Sequence, residues 1–202
     1  MKKAVFTLLA LTLTLGLTGR AQAQHRGGDV SLGLKVGGSL TTFAGADATP
    51  YNTRFGFQAG VFANIGLAEL IAFQPELLYS QKGGSVNNTA DTGFRLNYID
   101  VPLALHVNTG GLFFEAGPQV GFLVAAKAES GSIAVNFKDN YKTVDIGYLA
   151  GLGYQLKQGL GIGLRYNGEF TNFPKPLVSG NVTQQTRLRN SAFQLYATYS
   201  FT

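Results

Sequence analysis

The feature that most constrains the fold is a two-residue alternation of apolar side chains with polar or small ones. It recurs in eight segments of ten or more residues between Ser31 and Phe201. In the last segment, Phe193 and Leu195 alternate with Gln194 and Tyr196. Such alternation places two sets of side chains on opposite faces of a β-strand, whereas a helix needs a period near 3.6 residues. No segment beyond residue 24 sustains a helical period, so the chain is predicted to be all-β.

The connections between these segments alternate in length. Three are short, at 66–69, 108–111 and 157–159, and four are longer, at 44–53, 83–93, 126–142 and 172–190. Short turns at one end and long loops at the other are typical of bacterial outer-membrane barrels, whose short turns lie in the periplasm. The prediction is an eight-stranded antiparallel up-and-down transmembrane β-barrel. Its eighth strand must pair with its first, because lipid offers no partner to unpaired backbone groups.

Two irregularities are expected in these strands. The loop at 126–142 continues to alternate at Ile133, Val135 and Phe137, which favours a hairpin that projects beyond the membrane. Pro75 and Pro118 lie in the middle of strands, where proline has no N–H to donate to the ladder. We therefore expect a bulge or a local bend at each proline.

The composition of the two faces indicates which solvent each one meets. Eight-stranded barrels also occur as secreted soluble carriers with an apolar interior, so a soluble carrier is the alternative to a membrane barrel. Here the apolar face is broad and aromatic, while the other face mixes glycine, amides and charges of both signs, in a chain with 27 glycines and only 13% charged residues. Inside a narrow lumen, glycine makes room for long charged side chains, and each buried charge needs an opposite partner. The pattern favours an apolar face toward lipid and a polar lumen.

The first 23 residues have the layout of a secretory signal peptide. Lys2 and Lys3 precede an apolar run at 4–15, and the sequence Ala-Gln-Ala at 21–23 provides a small-residue cleavage site. We expect a signal peptide at 1–23 and a barrel domain at 24–202. Removing Lys2, Lys3 and Arg20 leaves 13 basic and 11 acidic residues, so the formal charge falls from +5 to +2. Nucleic-acid binding thereby loses its main support.

Charged residues on the polar face are predicted to meet inside the lumen. Counted from the periplasmic turns, several of them lie at a similar height on different strands. We expect a network in which two cations, Lys35 and Arg165, neutralise three carboxylates beneath a capping tyrosine. Its members are Lys35, Glu76, Tyr98, Asp100, Glu115 and Arg165. Such a network would occlude the lumen, and the alternatives are an ion path or a narrow pore for small solutes.

Six stretches of the chain resemble a known family. They are GLKVGG at 33–38, FQPELLYSQKG at 73–83, YIDVPL at 98–103, AGPQVG at 116–121, AGLGY at 150–154 and LRYN at 164–167. These stretches resemble the small outer-membrane barrels of Bacteroidetes-type bacteria, the PorT or porin family, and more broadly barrels of the OmpX and OmpA type. The fourth-strand motif usually carries Glu where this chain has Asp100. The resemblance implies location in the outer membrane after export through the periplasm, and PorT-like relatives imply an accessory role in a secretion or gliding apparatus.

The partners expected on this basis are outer-membrane lipid, lipopolysaccharide and the barrel assembly machinery. That machinery reads an aromatic residue at the end of a barrel, and here Phe201 precedes Thr202. The last long loop carries Lys175, Arg187 and Arg189, which could contact lipopolysaccharide phosphates. A solvated loop is the alternative reading of these three residues.

No catalytic residue, cofactor or metal site is predicted. The chain has no cysteine, only two histidines, and no zinc-protease, EF-hand or phosphate-loop motif. His106 is expected to fill the lumen at the periplasmic end of the fourth strand. We therefore expect a non-enzymatic protein with a structural or surface-interaction role exercised through its outer loops.

Overall fold

The computed structural model describes residues 29–86, 89–130, 133–136, 138–179 and 182–201. The predicted signal peptide, Phe137 and Thr202 lie outside these residues. The strands are β1 (Val30–Ala44), β2 (Tyr51–Asn52), β3 (Arg54–Gly66), β4 (Ile71–Val86), β5 (Thr89–Thr109), β6 (Leu112–Ser130), β7 (Ile133–Asn136), β8 (Val144–Gln155), β9 (Leu160–Glu169), β10 (Leu177–Ser179), β11 (Val182–Gln184) and β12 (Arg189–Phe201). A 3₁₀ helix spans Lys138–Asn140. In the described part of the chain, no helix is long and apolar enough to cross a membrane.

Eight long strands form a closed antiparallel ring. They follow one another in the order β1, β3, β4, β5, β6, β8, β9 and β12. The ring closes where β12 pairs with β1 over thirteen residue pairs, from Leu32 beside Phe201 to Ala44 beside Arg189. The predicted eight-stranded up-and-down barrel is confirmed.

The two faces of the ring are inverted relative to a soluble protein. Outward side chains are apolar and exposed, as at Leu34 (50%) and Phe55 (70%). Inward side chains are polar and buried, as at Lys35 (1%), Glu76 (3%) and Arg165 (2%). The alternation in the sequence therefore produces an apolar belt around a charged interior.

The three short connections are confirmed as tight turns. Gly110 and Gly111 join β5 to β6, and their φ angles of 64° and 109° are those that a two-residue hairpin turn favours. The prediction of a long loop at 83–93 is wrong, because β4 runs to Val86 and β5 begins at Thr89. The segment is polar because it lies above the apolar belt, and the ladder continues through it.

The projecting hairpin is present with a different second arm. β6 extends to Ser130, and β7 folds back to pair with it over four residue pairs. β7 is separate from β8, because the 3₁₀ helix and the residues that follow it lie between the two strands.

Neither Pro75 nor Pro118 carries a bulge, which was one of the two irregularities expected there, since the register does not shift at either residue. The ladders skip two residue pairs on one side of Pro75 and of Pro118, yet the register beyond the gap is unchanged. On the other side, Pro75 pairs with Leu103 and Pro118 with Tyr148. The β6–β8 ladder is continuous past Pro118, whereas the β4–β5 ladder skips the two pairs next to Pro75 without a change of register. The shifts occur instead beside Tyr98 and in the outer part of the β4–β5 hairpin.

The hydrophobic core lies at the outer end of the barrel, opposite the short turns. Its side chains come from the ends of β1, β5 and β6 and from the loop between β9 and β12. We call this cluster the outer cap; its buried members are Phe43, Leu96, Tyr98, Leu123, Ala126, Phe173 and Leu188. Ala48, Tyr51, Phe94 and Tyr141 pack against it. The outer loops thus fold over the mouth of the barrel.

Candidate functional site

The lower half of the lumen holds a balanced set of four charges, the lower ionic cluster: Lys35, Glu76, Glu115 and Arg165. Arg165 lies at its centre, with Nη1 and Nη2 donating to Glu76 at 2.8 and 2.7 Å. Its Nε and Nη2 donate to Glu115 at 2.8 and 2.5 Å. Lys35 Nζ lies 2.5 Å from Glu76 Oε1. The planar guanidinium therefore binds two carboxylates at once, a geometry that lysine does not offer.

Neutral side chains complete the lower ionic cluster. Gln74 donates to Glu76 at 2.9 Å, and the Tyr196 hydroxyl donates to Glu115 at 2.8 Å. The ammonium of Lys35 lies 4.1 Å from the centre of the Tyr196 ring. Gln74 and Tyr196 were not among the residues predicted from the sequence to join the network, although both lie on the lumen register. Their position on that register is the signal that could have found them.

A second charged group lies further toward the outer end. We call Lys82, Asp100, Asp145 and Glu169 the upper acidic cluster. Lys82 Nζ lies 3.1 Å from Asp100 and 2.7 Å from Glu169. Ser80 also donates a hydrogen bond to Asp100. All four residues are buried.

This arrangement differs from the single network expected from the sequence. The structure brings Lys35, Glu76, Glu115 and Arg165 together but separates Asp100 and Tyr98 from them. Asp100 binds Lys82 rather than Lys35 or Arg165. Tyr98 accepts a hydrogen bond from Asn190 at 3.2 Å, and its ring centre lies 4.6 Å from the Lys82 ammonium. Barrel strands are tilted and staggered, so counting residues from the turns misjudges the height at which side chains meet.

Asp145 differs from every other lumen carboxylate in the described residues. Its side chain is buried, with 1% of the residue exposed, and neither carboxylate oxygen has a hydrogen-bond partner. With formal charges, the lower ionic cluster sums to zero, whereas the upper acidic cluster has one cation and three carboxylates. The lumen is thus balanced below and negative above.

The outer cap roofs the upper acidic cluster with packed rings. Phe173 contacts Phe43 and Tyr141, with ring centres 5.0 and 5.3 Å apart. Tyr51 stands edge-on to Phe43 at 4.9 Å. Burial of the Tyr141 hydroxyl raises the pKa of that side chain to about 12, so it stays neutral at physiological pH.

The three basic residues predicted on the last loop have different surroundings. Lys175 is exposed, and its ammonium donates to the Asp139 carbonyl at 2.7 Å. Arg187 is exposed, and its backbone N–H donates to Asp47 at 2.7 Å. Arg189 begins β12 opposite Ala44 and is half-buried. All three lie at the outer end.

One group of side chains has the composition of a metal site. Ligand atoms of Glu76, His106 and Glu115 lie within 4.8 Å of one another. However, Arg165 and Lys35 already bind the two carboxylates, and the His106 ring stacks on Phe113 at 5.0 Å. This donor set is therefore committed to ion pairing.

Comparison with known proteins identifies the kind of barrel. The family described as outer membrane protein beta-barrel domain matches residues 21–173. The chain belongs to this family. It is accordingly an outer-membrane protein that crosses the membrane several times with its strands, and the soluble-carrier alternative is wrong because a soluble carrier would present its polar face outward.

Two solved structures are similar in fold. Neisserial surface protein A has 15% sequence identity and a TM-score of 0.56, with 86% of this chain and 99% of that chain covered. Ail, the attachment invasion locus protein of Yersinia pestis, has 14% identity and a TM-score of 0.50, with 86% and 99% covered. At these identities the likeness shows the fold alone. No curated protein matches the sequence.

Proposed function

We propose that this protein is an occluded, non-enzymatic outer-membrane barrel that acts through its outer surface. The observation that carries the proposal is the position of Arg165, which binds Glu76 and Glu115 across the lumen. The four residues of the lower ionic cluster come from β1, β4, β6 and β9, which are alternate strands of the ring. Charges anchored at these four positions link the whole circumference, in a lumen that side chains of this length can fill.

The outer cap supports the same proposal. An ion that passed the lower ionic cluster would next meet a layer of packed rings, including Phe43 and Phe173. Moving a hydrated charge through an apolar layer is costly because the layer offers no replacement for water. Two barriers of different chemistry therefore lie in series along the barrel axis.

Planar-bilayer recording tests the occlusion. The wild-type barrel should show no steady conductance, and the variant Glu76→Ser/Arg165→Ser, which removes one charge of each sign, should show more frequent openings. Stable openings of the wild-type protein would overturn the proposal in favour of the narrow small-solute pore.

The outer end has the charge that anionic surface ligands require. Seven basic residues with partly or fully exposed side chains lie there: Arg95, Lys127, Lys138, Lys142, Lys175, Arg187 and Arg189. Four acidic residues accompany them in the same stretches: Asp47, Asp91, Glu129 and Asp139. The solved structure of Ail is a complex with the heparin analogue sucrose octasulfate. We propose that lipopolysaccharide phosphates, or sulfate groups of a similar glycan, bind this basic surface.

Charge reversal on the exposed loop tests this part of the proposal. The variant Lys175→Glu/Arg187→Glu should weaken binding of lipopolysaccharide and of sucrose octasulfate at least about tenfold at low salt, because each contact adds electrostatic attraction. Lys157→Glu, which changes the charge on the exposed periplasmic turn, is the matched control. Equal binding by all three proteins would count against a loop site.

An accessory role in secretion or gliding is the alternative suggested by the PorT-like motifs. It predicts that deleting the gene abolishes secretion of other proteins while outer-membrane integrity is kept.

We further propose that the barrel assembly machinery reads the end of β12 at Phe201. Substituting Phe201 by Ser should therefore reduce the amount of protein assembled in the membrane, and undiminished assembly would contradict this proposal.

A further inference from the structure

The structure points to a use for the uncompensated charge in the upper half of the lumen. We propose that the upper acidic cluster is a cation site that takes a hard divalent ion such as Ca²⁺ or Mg²⁺, with Asp145 as its principal ligand. The site is independent of the proposed outer-surface function.

Two carboxylates of the upper acidic cluster are aligned across three neighbouring strands. Asp100 on β5 pairs with Gly121 on β6, and Gly121 pairs with Asp145 on β8. All three positions face the lumen, so the two carboxylates flank a residue that has no side chain. A Cβ added at Gly121 would lie 2.7 Å from Asp100 Oδ1, so this oxygen overhangs the glycine. On the next strand pair, Gly147 lies opposite Glu169, and a Cβ at Gly147 would lie 3.1 Å from Glu169 Cγ.

Three buried oxygen atoms of this region have no hydrogen-bond partner in the described structure. They are Asp145 Oδ1 and Oδ2 and Asn190 Oδ1. Asn190 is bound into the cluster through its amide nitrogen, which donates to Glu169 at 2.7 Å and to the Tyr98 hydroxyl at 3.2 Å. Buried polar atoms normally have partners, so the two Asp145 oxygens and the Asn190 amide oxygen need an explanation. Carboxylate and amide oxygens are the ligands of hard cations rather than of soft metals.

The upper acidic cluster also carries an excess of negative charge. Lys82 occupies the side of the cluster between Asp100 and Glu169 and leaves Asp145 uncompensated. Three carboxylates and one ammonium carry a formal charge of −2, and burying such an excess is unfavourable unless an opposite charge accompanies it. One divalent ion on the Asp145 side would make the upper cluster neutral. The lower ionic cluster is already neutral, so no ion is expected there.

The test uses barrel refolded in detergent without lipopolysaccharide, which itself binds divalent ions. Wild type, Asp145→Asn and Asp139→Asn are refolded with EDTA, with Ca²⁺ or with Mg²⁺. Asp139→Asn is the matched control, because it removes the same charge from an exposed position on the outer 3₁₀ helix. The readouts are the number of ions per chain by mass spectrometry and the midpoint of heat unfolding from gel mobility.

Wild type and Asp139→Asn should each retain about one ion per chain. Their midpoints should rise by about 5 °C or more when the ion is about 100-fold above its dissociation constant. Asp145→Asn should retain no ion and show no rise. Refolding should be needed to load the site, because the outer cap covers it.

Two results would overturn the site. The site is rejected if wild type retains no ion and its unfolding midpoint does not shift with Ca²⁺ or Mg²⁺. This measurement is made on wild type alone, so it does not require that a variant folds. Equal ion binding by wild type and Asp145→Asn would place the ion elsewhere. If Asp145→Asn in EDTA is more stable than wild type and wild type binds no ion, a proton on Asp145 explains the missing partners and the cation site is rejected.

Discussion

The lower and upper halves of the lumen use the same residue types in different ways. In the lower ionic cluster two cations meet two carboxylates, and each carboxylate accepts at least three hydrogen bonds. In the upper acidic cluster one lysine serves Asp100 and Glu169, while Asp145 accepts none. The lower half has the complementarity of a permanent closure, and the upper half has an excess charge that a further ion or proton must offset.

The difference shows that burial alone does not define the role of a lumen charge. Arg165 and Asp145 are both almost fully buried, yet one is saturated with partners and the other has none. A saturated charge is costly to remove, because its partners are then left unpaired in a low-dielectric interior. An unsatisfied charge is costly to keep and inexpensive to neutralise. Removing a saturated lumen charge should therefore lower the free energy of unfolding most, and removing an exposed charge should lower it least.

The largest effect is expected from Arg165→Met. Removing the guanidinium leaves Lys35 as the one remaining cation of the lower ionic cluster beside two carboxylates, so the free energy of unfolding should fall by about 3–5 kcal/mol. Urea unfolding in detergent micelles measures it. The double variant Arg165→Met/Glu115→Gln restores neutrality and should recover part of the loss. A loss below about 1 kcal/mol for Arg165→Met would mean that the lower ionic cluster does not hold the lumen closed.

The next effect concerns the outer cap and should be local. Phe173→Ala removes a ring packed on Phe43 and Tyr141, and such a truncation in a core costs about 3–5 kcal/mol. Because the ring lies in a loop, that cost should appear as loop opening. Trypsin cleavage after the exposed Arg187 on the same loop should accelerate at least about tenfold, with little change in barrel unfolding. Phe170→Ala, at a position 62% exposed, is the control and should leave cleavage unchanged.

Alanine substitutions of one glycine beside each cluster should lower the free energy of unfolding by different, smaller amounts. A Cβ at Gly151 would lie 2.6 Å from the Leu164 carbonyl oxygen and 2.6 Å from Glu115 Oε1. A Cβ at Gly121 would approach only side-chain atoms, those of Asp100 and Tyr98. Since backbone cannot yield as a side chain can, Gly151→Ala should lower the free energy of unfolding by about 1–3 kcal/mol and Gly121→Ala by less than about 1 kcal/mol. The reverse order in urea unfolding would contradict the contrast.

The smallest effect is expected outside the lumen. Arg95 Nε lies 3.1 Å from Glu129, and its side chain is 37% exposed. Arg95→Gln should therefore change the free energy of unfolding by less than about 0.5 kcal/mol, because an exposed ion pair is screened by water and salt. An effect as large as that of Arg165→Met would show that exposure does not distinguish these charges.

The sequence was sufficient for the ring of strands but not for the pairing inside it. Alternation sorts each side chain to lipid or lumen without any knowledge of the neighbouring strand, so Lys35, Glu76 and Arg165 could be assigned to the interior. Which charges meet depends on the stagger between strands, which is a property of the closed ring. Asp100 was therefore matched with the wrong cations, and its actual partner, Lys82, was not included in the expected network.

The outer end was the hardest part to predict. Residues 83–93 lose the apolar face because they lie above the membrane, so the strand signal fades although the ladder continues. Phe43, Phe173 and Leu188 pack together although Phe43 is far from the other two in the chain, and no local sequence pattern predicts this contact. The polarity of a segment is enough to predict an outer loop. The sequence does not show which single apolar residues of that loop pack into the outer cap.

The outer cap has a consequence for how this surface can change over generations. Each loop is held by a few inward apolar anchors, such as Phe173 and Leu188, while the residues between them, including Lys175 and Arg187, face outward. Substitutions at the outward positions leave the anchors and the ring untouched. The charge and polarity of the exposed loop surface can therefore change one substitution at a time while the fold of the barrel and the outer cap stays the same.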